Sequence, residues 1–515
     1  MQGPTYWNTN NTLCIEQCAI SELVKEYGTP LNVMSESQLM GNLSRFQTAF
    51  SKGWDCGDAR ILPAIKANTR LEICKKIAQK TKACDLFSEG ELYAAMQAGF
   101  DPKLMSLNGN SKITSDMKFL RYAIENDVRL TLDDAAEFPP IEEIAKSLNK
   151  KVRLRVRMRL ELPELLTRST DFSSELIPTE IAMAIYKPGI PNEDLIPLGK
   201  KLIESQWIEF SGVHIHTGRH HQDVGFWQVI MTGLARQLLL LKEQWDGWEP
   251  KEIDIGGGFA QELDPVAKSL NRARFFEMAT MTFIQKCLKP FPKLRNKVTS
   301  SALKSSYESA LDGEHCEINI NNGPSIEEYA QVITHTLRKE MKARGLTTQG
   351  VILEVEPGRA LYGTAGLHIS RVIHKKRQTK PYPVAWVVAD TTESFFGSIA
   401  LEHAIYPYVV DGKPLSNYAK DKRMVADLVG KSCNADRIIP NACFPSDIAV
   451  GDIIIQHYTG AYEENSSRNF NSMPRPATVL VNGDQSTLIR RRETIEDVFS
   501  RDILSNENEK IRSAV

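Results

Sequence analysis

The chain has 515 residues, enough for a large core and more than one domain, although one α/β barrel can take more than half of that length. Its 63 Lys and Arg nearly cancel 64 Asp and Glu, and a net charge of -1 gives no pull toward nucleic acid or an anionic membrane, so small molecules are the expected partners. Nine singly scattered cysteines, no basic-then-apolar leader and no apolar run near the roughly 18 residues of a membrane span argue against a disulfide framework or a membrane protein, and lead us to expect a cytoplasmic one. In chain order, residues 1–38 form a segment expected to pack with a β-rich unit further along. Short β-rich runs then alternate with amphipathic helical stretches: ILPAIK (61–66), CDLFS (84–88), LMSLNG (104–109), RLTLD (129–133), VRLRVRM (152–158), FSGVHIHTG (210–218), EIDIGGG (252–258) and VILEVEPG (351–358). This alternation predicts a (β/α)8 barrel over 39–372. Two long connections, about 163–200 and 290–340, interrupt it, and the polar stretch SSALKSSYESALDGEHCEINI in the second predicts an inserted loop or lid. Beyond His374, VAWVVAD, DIIIQHYTG and ATVLVNGDQSTLIRRRE read as strands with few helices between them, predicting a β-rich barrel or sandwich domain over 373–515 that ends in a frayed tail.

Chemistry in such barrels gathers where the strands end. Those ends read Lys66, Ser88, Asn108, Asp133, His216, Gly256 to Gly258 and Glu356, with Arg155 late in its strand. A strand-end lysine can snorkel to solvent, or with a depressed pKa it can form a Schiff base with an aldehyde. The glycines of DIGGGFA let backbone N–H groups approach a phosphate, although a tight turn explains them equally well, and no Gly-Lys-Ser/Thr follows as in a Walker loop. In EPGRALYG, Glu356 can hold a pyridine nitrogen protonated and Arg359 can pair with phosphate, or the two can form a surface turn. His214 and His216 share a strand face. An H-x-H pair suits a metal-dependent hydrolase, but no carboxylate cluster with ligand spacing accompanies it in the sequence, and an imidazole can stack on a planar cofactor, so no metal is expected. Together these groups describe a pyridoxal 5'-phosphate pocket.

The ordered motifs resemble those of the fold-type III pyridoxal phosphate decarboxylases, the diaminopimelate, ornithine and arginine decarboxylase family, from YGTPLNVMSESQL (27–39) to LIRRRETIED (488–497). The resemblance implies an alanine racemase-like barrel with a C-terminal β-domain. AIKAN places the cofactor Schiff base on Lys66, and CDLFSEGEL puts Asp85 and Glu91 at pocket positions. LRV makes Arg155 a cofactor-side arginine, and HIHTG makes His216 the histidine on the ring. DIGGGF assigns Gly256, Gly257 and Gly258 to the phosphate. EPGR assigns Glu356 to the pyridine nitrogen, with Gly358 and Arg359 beside the phosphate. SCNAD aligns Cys433 with the cysteine that enters the neighbouring subunit's site, where it would donate a proton to the substrate α-carbon, and GAY aligns Tyr462 with a phosphate-binding tyrosine. A head-to-tail homodimer with shared sites follows from the resemblance.

The chain departs from the family pattern in several places: ADTTESFFGSIALEHAIYP lacks the arginine that diaminopimelate decarboxylases carry near it, and no Ser-Lys-Phe-Gly turn is visible around TEIAMAIYK. Arg219, followed by His220 and His221, stands where a small residue is usual, and Asn434 stands where an acid normally follows the cysteine. Arg219, Asn434 and Asp436 are therefore the residues expected to face substrate. The expected reaction is decarboxylation of an amino acid or amino-acid conjugate other than diaminopimelate or ornithine, with an anionic or bulky far end and a place in a specialised biosynthetic pathway. An amino-acid racemase or epimerase on the same fold is the alternative, and a catalytically silent cofactor-binding protein is a third reading.

Overall fold

The computed structural model describes residues 4–9, 12–110, 112–162, 189–219, 221–265, 282–311, 323–380, 384–402 and 404–503. Eight parallel strands form, six within the expected runs and two displaced toward the N-terminus, the first sharing only Ile61 with ILPAIK and the sixth beginning at Ile208: β1 (Ala59–Ile61), β2 (Cys84–Leu86), β3 (Met105–Leu107), β4 (Arg129–Leu132), β5 (Val152–Arg157), β6 (Ile208–His214), β7 (Glu252–Asp254) and β8 (Ile352–Val355). They hydrogen-bond in the order β1, β8, β7, β6, β5, β4, β3, β2, every pair parallel. A parallel bridge between Ala64 and Asp85 joins the two ends of this sheet, so the barrel closes just above β1 and β2. The expected strand ILPAIK stops early. Pro63 has no N–H to give, and Ile65–Ala67 coils into a single 3-10 turn, which puts Lys66 on a turn at the rim instead of at a strand end.

Side chains on alternate residues of a strand face the same way. In β5 that rule sends Arg153, Arg155 and Arg157 toward the barrel axis at rising height, with Arg153 and Arg155 meeting Glu252 and Arg157 meeting Asp133 nearer the rim. The middle of the barrel is filled by charge rather than by hydrocarbon. Arg129 pairs with Glu252 and Glu354 at 2.7 Å each, and Arg155 reaches Glu354 at 2.5 Å and Asp254 at 3.0 Å. Buried ions persist only when partnered, and here each carboxylate meets a guanidinium.

The outer helices seal the barrel with apolar faces. Val224–Gln244 has the length and hydropathy to cross a membrane, but it packs against Ile326–Ala343 and buries Phe226, Trp227, Ile230, Leu234, Leu238 and Leu241. Ile326–Ala343 starts at a capping box, Ser325 and Glu328 each bonding the other's backbone N–H, which terminates the preceding connection cleanly. In the connection expected as a loop or lid, residues 292–311 are helical and contact the strands Arg423–Val429 and Arg437–Pro445 of the β-rich domain. Residues 312–322, together with 163–188 and the tail from 504, lie outside the described residues.

The second sheet has nine strands drawn from both ends of the chain. Leu31–Ser35 pairs antiparallel with Gly366–Gln378 and parallel with Ala477–Asn482, so the N-terminal segment is an interior strand of the β-rich domain. Phe396, Tyr406, Leu428, Phe444 and Ile454 make that domain its own core.

Candidate active site

Two cavities, of about 240 and 280 Å³, share Lys66, His216 and Glu356 at the rim where the barrel strands end. The first is walled by Gly257, Gly258, Gly358 and Arg359 on the barrel side and by Ser398 and Tyr462 from the β-rich domain. Only glycine fits this wall. Gly256 and Gly258 have φ of +69° and +101°, a Cβ on Gly257 would run into the Glu356 carbonyl, and a Cβ on Gly358 would run into the Tyr462 hydroxyl. Gly256 itself does not line the lobe but makes the left-handed turn that leads into Gly257 and Gly258, which do. Arg359 is buried, donates to Ser398 Oγ at 3.1 Å and lies over the Tyr462 ring at 5.1 Å. Tyr462 is tied to the barrel by its own N–H, which donates to the Ala67 carbonyl at 2.8 Å. The result is a lobe of bare backbone with a fixed guanidinium, suited to a phosphate.

The second lobe holds a chain of polar contacts. Lys66 Nζ donates to Asp85 Oδ2 at 2.8 Å, Asn108 Nδ2 donates to Asp85 Oδ1 at 2.8 Å and also to Glu356, and Glu356 lies 3.5 Å from His214 Nε2. Burial works against charge on Lys66, but the carboxylates of Asp85 and Glu356 outweigh it and hold the ammonium above its ordinary range. The direction is opposite to the depressed pKa that the sequence left open for this lysine. Burial and the Asp85 charge push Glu356 up, and burial lifts Glu91, in the same lobe, to about 7. Burial lowers His214 to about 3 and puts His216 well below its ordinary value, so both imidazoles are neutral. His214, Asp254 and Glu356 bring one ligand atom each within 4.8 Å of one another, a spacing a cation could bridge. Asp254 is already committed to Arg155 and to the Gly256 N–H at 2.8 Å.

The sequence-predicted residues divide into two groups. Lys66, His216, Gly257, Gly258, Glu356, Gly358, Arg359 and Tyr462 line the first cavity, and Arg219, exposed, joins them at its edge. Asp85 stands directly behind Lys66. Arg155 does not reach either cavity: alternation along β5 leaves it one layer lower, wholly buried among Glu354, Asp254 and Ser106, and Arg157 is the arginine of that strand that lines the second lobe. Asp436 is also placed otherwise than expected. It is buried, and its carboxylate accepts from the Glu393 and Ser432 N–H groups at 2.7 Å and from Thr392 Oγ1 at 2.9 Å, which makes it the brace of its own loop. Asn434 and Cys433 are exposed on that loop, Asn434 donating to Glu393 at 2.5 Å and Cys433 gripped by Asn471, which takes its N–H at 2.9 Å and donates to its sulfur at 3.2 Å. Neither lines the Lys66 cavities of its own chain. His220 lies outside the described residues. Sequence reasoning gave no role to Arg157, or to Asn108 beyond its place at a strand end; one more step of the period-two pattern through Arg153 and Arg155 would have found Arg157.

These residues fit pyridoxal phosphate: an amine for the aldehyde, a cradle that a single Cβ would block, an arginine for the phosphate, a buried carboxylate for the ring nitrogen and a neutral imidazole for its face. Barrel and rim together define a pyridoxal phosphate enzyme. Residues 36–295 match the family described as pyridoxal-dependent decarboxylase, pyridoxal binding domain. The chain is 25% identical to a diaminopimelate decarboxylase of Zymomonas mobilis, over 95% of this chain and 96% of that one, and 25% identical to one of Staphylococcus aureus, over 96% and 99%. Its fold is that of the diaminopimelate decarboxylase of M. jannaschii (TM-score 0.77, 22% identity, covering 97% of this chain and 98% of that one), and it is also similar to a lysine decarboxylase of Selenomonas ruminantium (TM-score 0.59, 18% identity, 89% and 94%). The chain belongs to the pyridoxal-dependent decarboxylases, carboxy-lyases that use pyridoxal phosphate.

Proposed function

We propose that this enzyme removes the α-carboxylate of an amino acid or amino-acid conjugate, with its cofactor carried on Lys66 and its active site completed by a second copy of the chain. The observation that carries this reading is the contact chain at the rim, Lys66 to Asp85 to Asn108 to Glu356, which sets an amine and a buried acid on one cavity wall. When bound, pyridoxal phosphate supplies the electron sink for the carbanion left as carbon dioxide departs. Asp85 anchors the Lys66 amine. Glu356 is the acid placed to hold a proton at the ring nitrogen, and neutral His216 is free of charge that would oppose a cationic ring. Gly257, Gly258, Arg359 and Tyr462 take the phosphate. Cys433 of the neighbouring copy delivers a proton to the α-carbon, a role supported by its exposure on a braced loop outside its own chain's cavities.

The relatives' names point to a substrate with a polar far end. Two features favour one other than diaminopimelate or ornithine: a neutral Asn434, its amide already spent on Glu393, and the exposed Arg219 at the edge of the glycine lobe. Both suit an anionic or bulky far end better than one that carries an ammonium, as those of ornithine and diaminopimelate do. Incubating the cofactor-loaded protein in deuterium oxide with pooled amino acids and carboxylated conjugates should give one product lighter by carbon dioxide and carrying one deuterium at the former α-carbon, read by mass spectrometry. Deuterium in an amino acid of unchanged mass otherwise, with scrambled stereochemistry, would contradict the reading.

A further inference from the structure

We propose that Asn108 is a positioning residue that holds the two carboxylates flanking the cofactor, Asp85 and Glu356, in their working arrangement. The proposal rests on the reading above that Lys66 and Glu356 meet the cofactor. Asn108 closes β3 and is 3% exposed, and its Nδ2 has two hydrogens, one directed to Asp85 Oδ1 at 2.8 Å and the other to Glu356 Oε1. Its Oδ1 accepts from Ser106 Oγ at 2.9 Å, with Arg155 Nη2 at 3.5 Å. The amide can sit only one way round. Arg155 has donors alone to offer and ionised carboxylates have acceptors alone, so the oxygen must face down into the barrel and the nitrogen up toward the acids.

The amide thereby solves an electrostatic problem. Asp85 and Glu356 are like charges in a buried rim, where each would drive the other toward the neutral form. One shared N–H₂ group gives both a hydrogen bond to their charged forms and fixes the distance between them. It also gives the wholly buried Arg155 a function, since that guanidinium and Ser106 hold the amide's far end. The groups facing Glu356 are Asp85, Lys66, Arg155, Asp254 and His214, and Asn108 is the neutral link among them.

Asn108→Leu and Asn108→Asp keep the side chain's approximate size and remove the shared N–H₂ group, and a residue that merely filled the barrel top would tolerate the leucine. Each should weaken pyridoxal phosphate binding at least about tenfold, as expected for lost hydrogen bonds to charged groups, and move the pH midpoint of the bound cofactor's visible absorbance. The Asp variant, which adds a third carboxylate, should do so more strongly. Melting of the cofactor-free proteins reports folding separately, and if the Leu variant does not fold the Asp variant decides. Native affinity together with a native absorbance titration in a folded variant would overturn the proposal. Absence of a lysine-bound cofactor band in the unsubstituted protein would instead remove the underlying reading of Lys66.

Discussion

Lys66→Arg yields a folded protein that binds the phosphate end of the cofactor but releases no carbon dioxide. Arginine keeps a cation beside Asp85, which is wholly buried and otherwise left with only the Asn108 amide, so the rim retains its charge balance. A guanidinium is always protonated and cannot condense with an aldehyde. The loss should exceed about 10²-fold, the lower end of what one placed catalytic group contributes, because a guanidinium can neither carry the cofactor nor exchange it for the substrate amine. Carbon dioxide release and visible absorbance, measured together, check it. Lys66→Ala should lose activity equally and melt lower, since it strands the Asp85 carboxylate. An arginine variant with native turnover would mean that the catalytic amine lies elsewhere.

The second large effect concerns Cys433. Cys433→Ala should slow product formation by about 10² to 10⁴-fold, the range for a missing proton donor, while leaving cofactor absorbance native, because Cys433 lines neither cavity of its own chain. Mixing Lys66→Arg with Cys433→Ala protein should then restore about a quarter of the native rate, since half of randomly paired dimers carry one intact site built from the unsubstituted halves of each copy. No recovery on mixing, with exchange of copies verified by mass, would place the proton donor within one chain.

How far these features could be read in advance depended on the kind of signal. Short β-branched and leucine-rich runs between amphipathic helical stretches made the eight strands visible although charged side chains fill the barrel interior, and their glycine and acid endings marked the rim. What failed was resolution within a strand. Arg155 looks like a rim residue because its motif is familiar, but height in a barrel is set by the step of two along β5, and only Arg157 stands high enough. Lys66 looked like a strand end because the apolar run continues past Pro63, the one local sign that the strand stops there. Asp436 looked available because a sequence does not show that two backbone N–H groups and a hydroxyl converge on its carboxylate. The 292–311 helix was misjudged on polarity, which reflects a surface position as readily as a loop. Asn108 was the least legible: its importance comes from partners 23 and 248 residues away.

Borohydride reduction is the decisive experiment for pyridoxal phosphate carried on Lys66. Reducing the cofactor-loaded protein, digesting it and mapping the modified peptide should find a pyridoxyl group on Lys66, in the peptide that contains AIKAN, with none in the Lys66→Arg protein. A pyridoxyl group fixed to another lysine, or no fixed cofactor at all, would contradict the account.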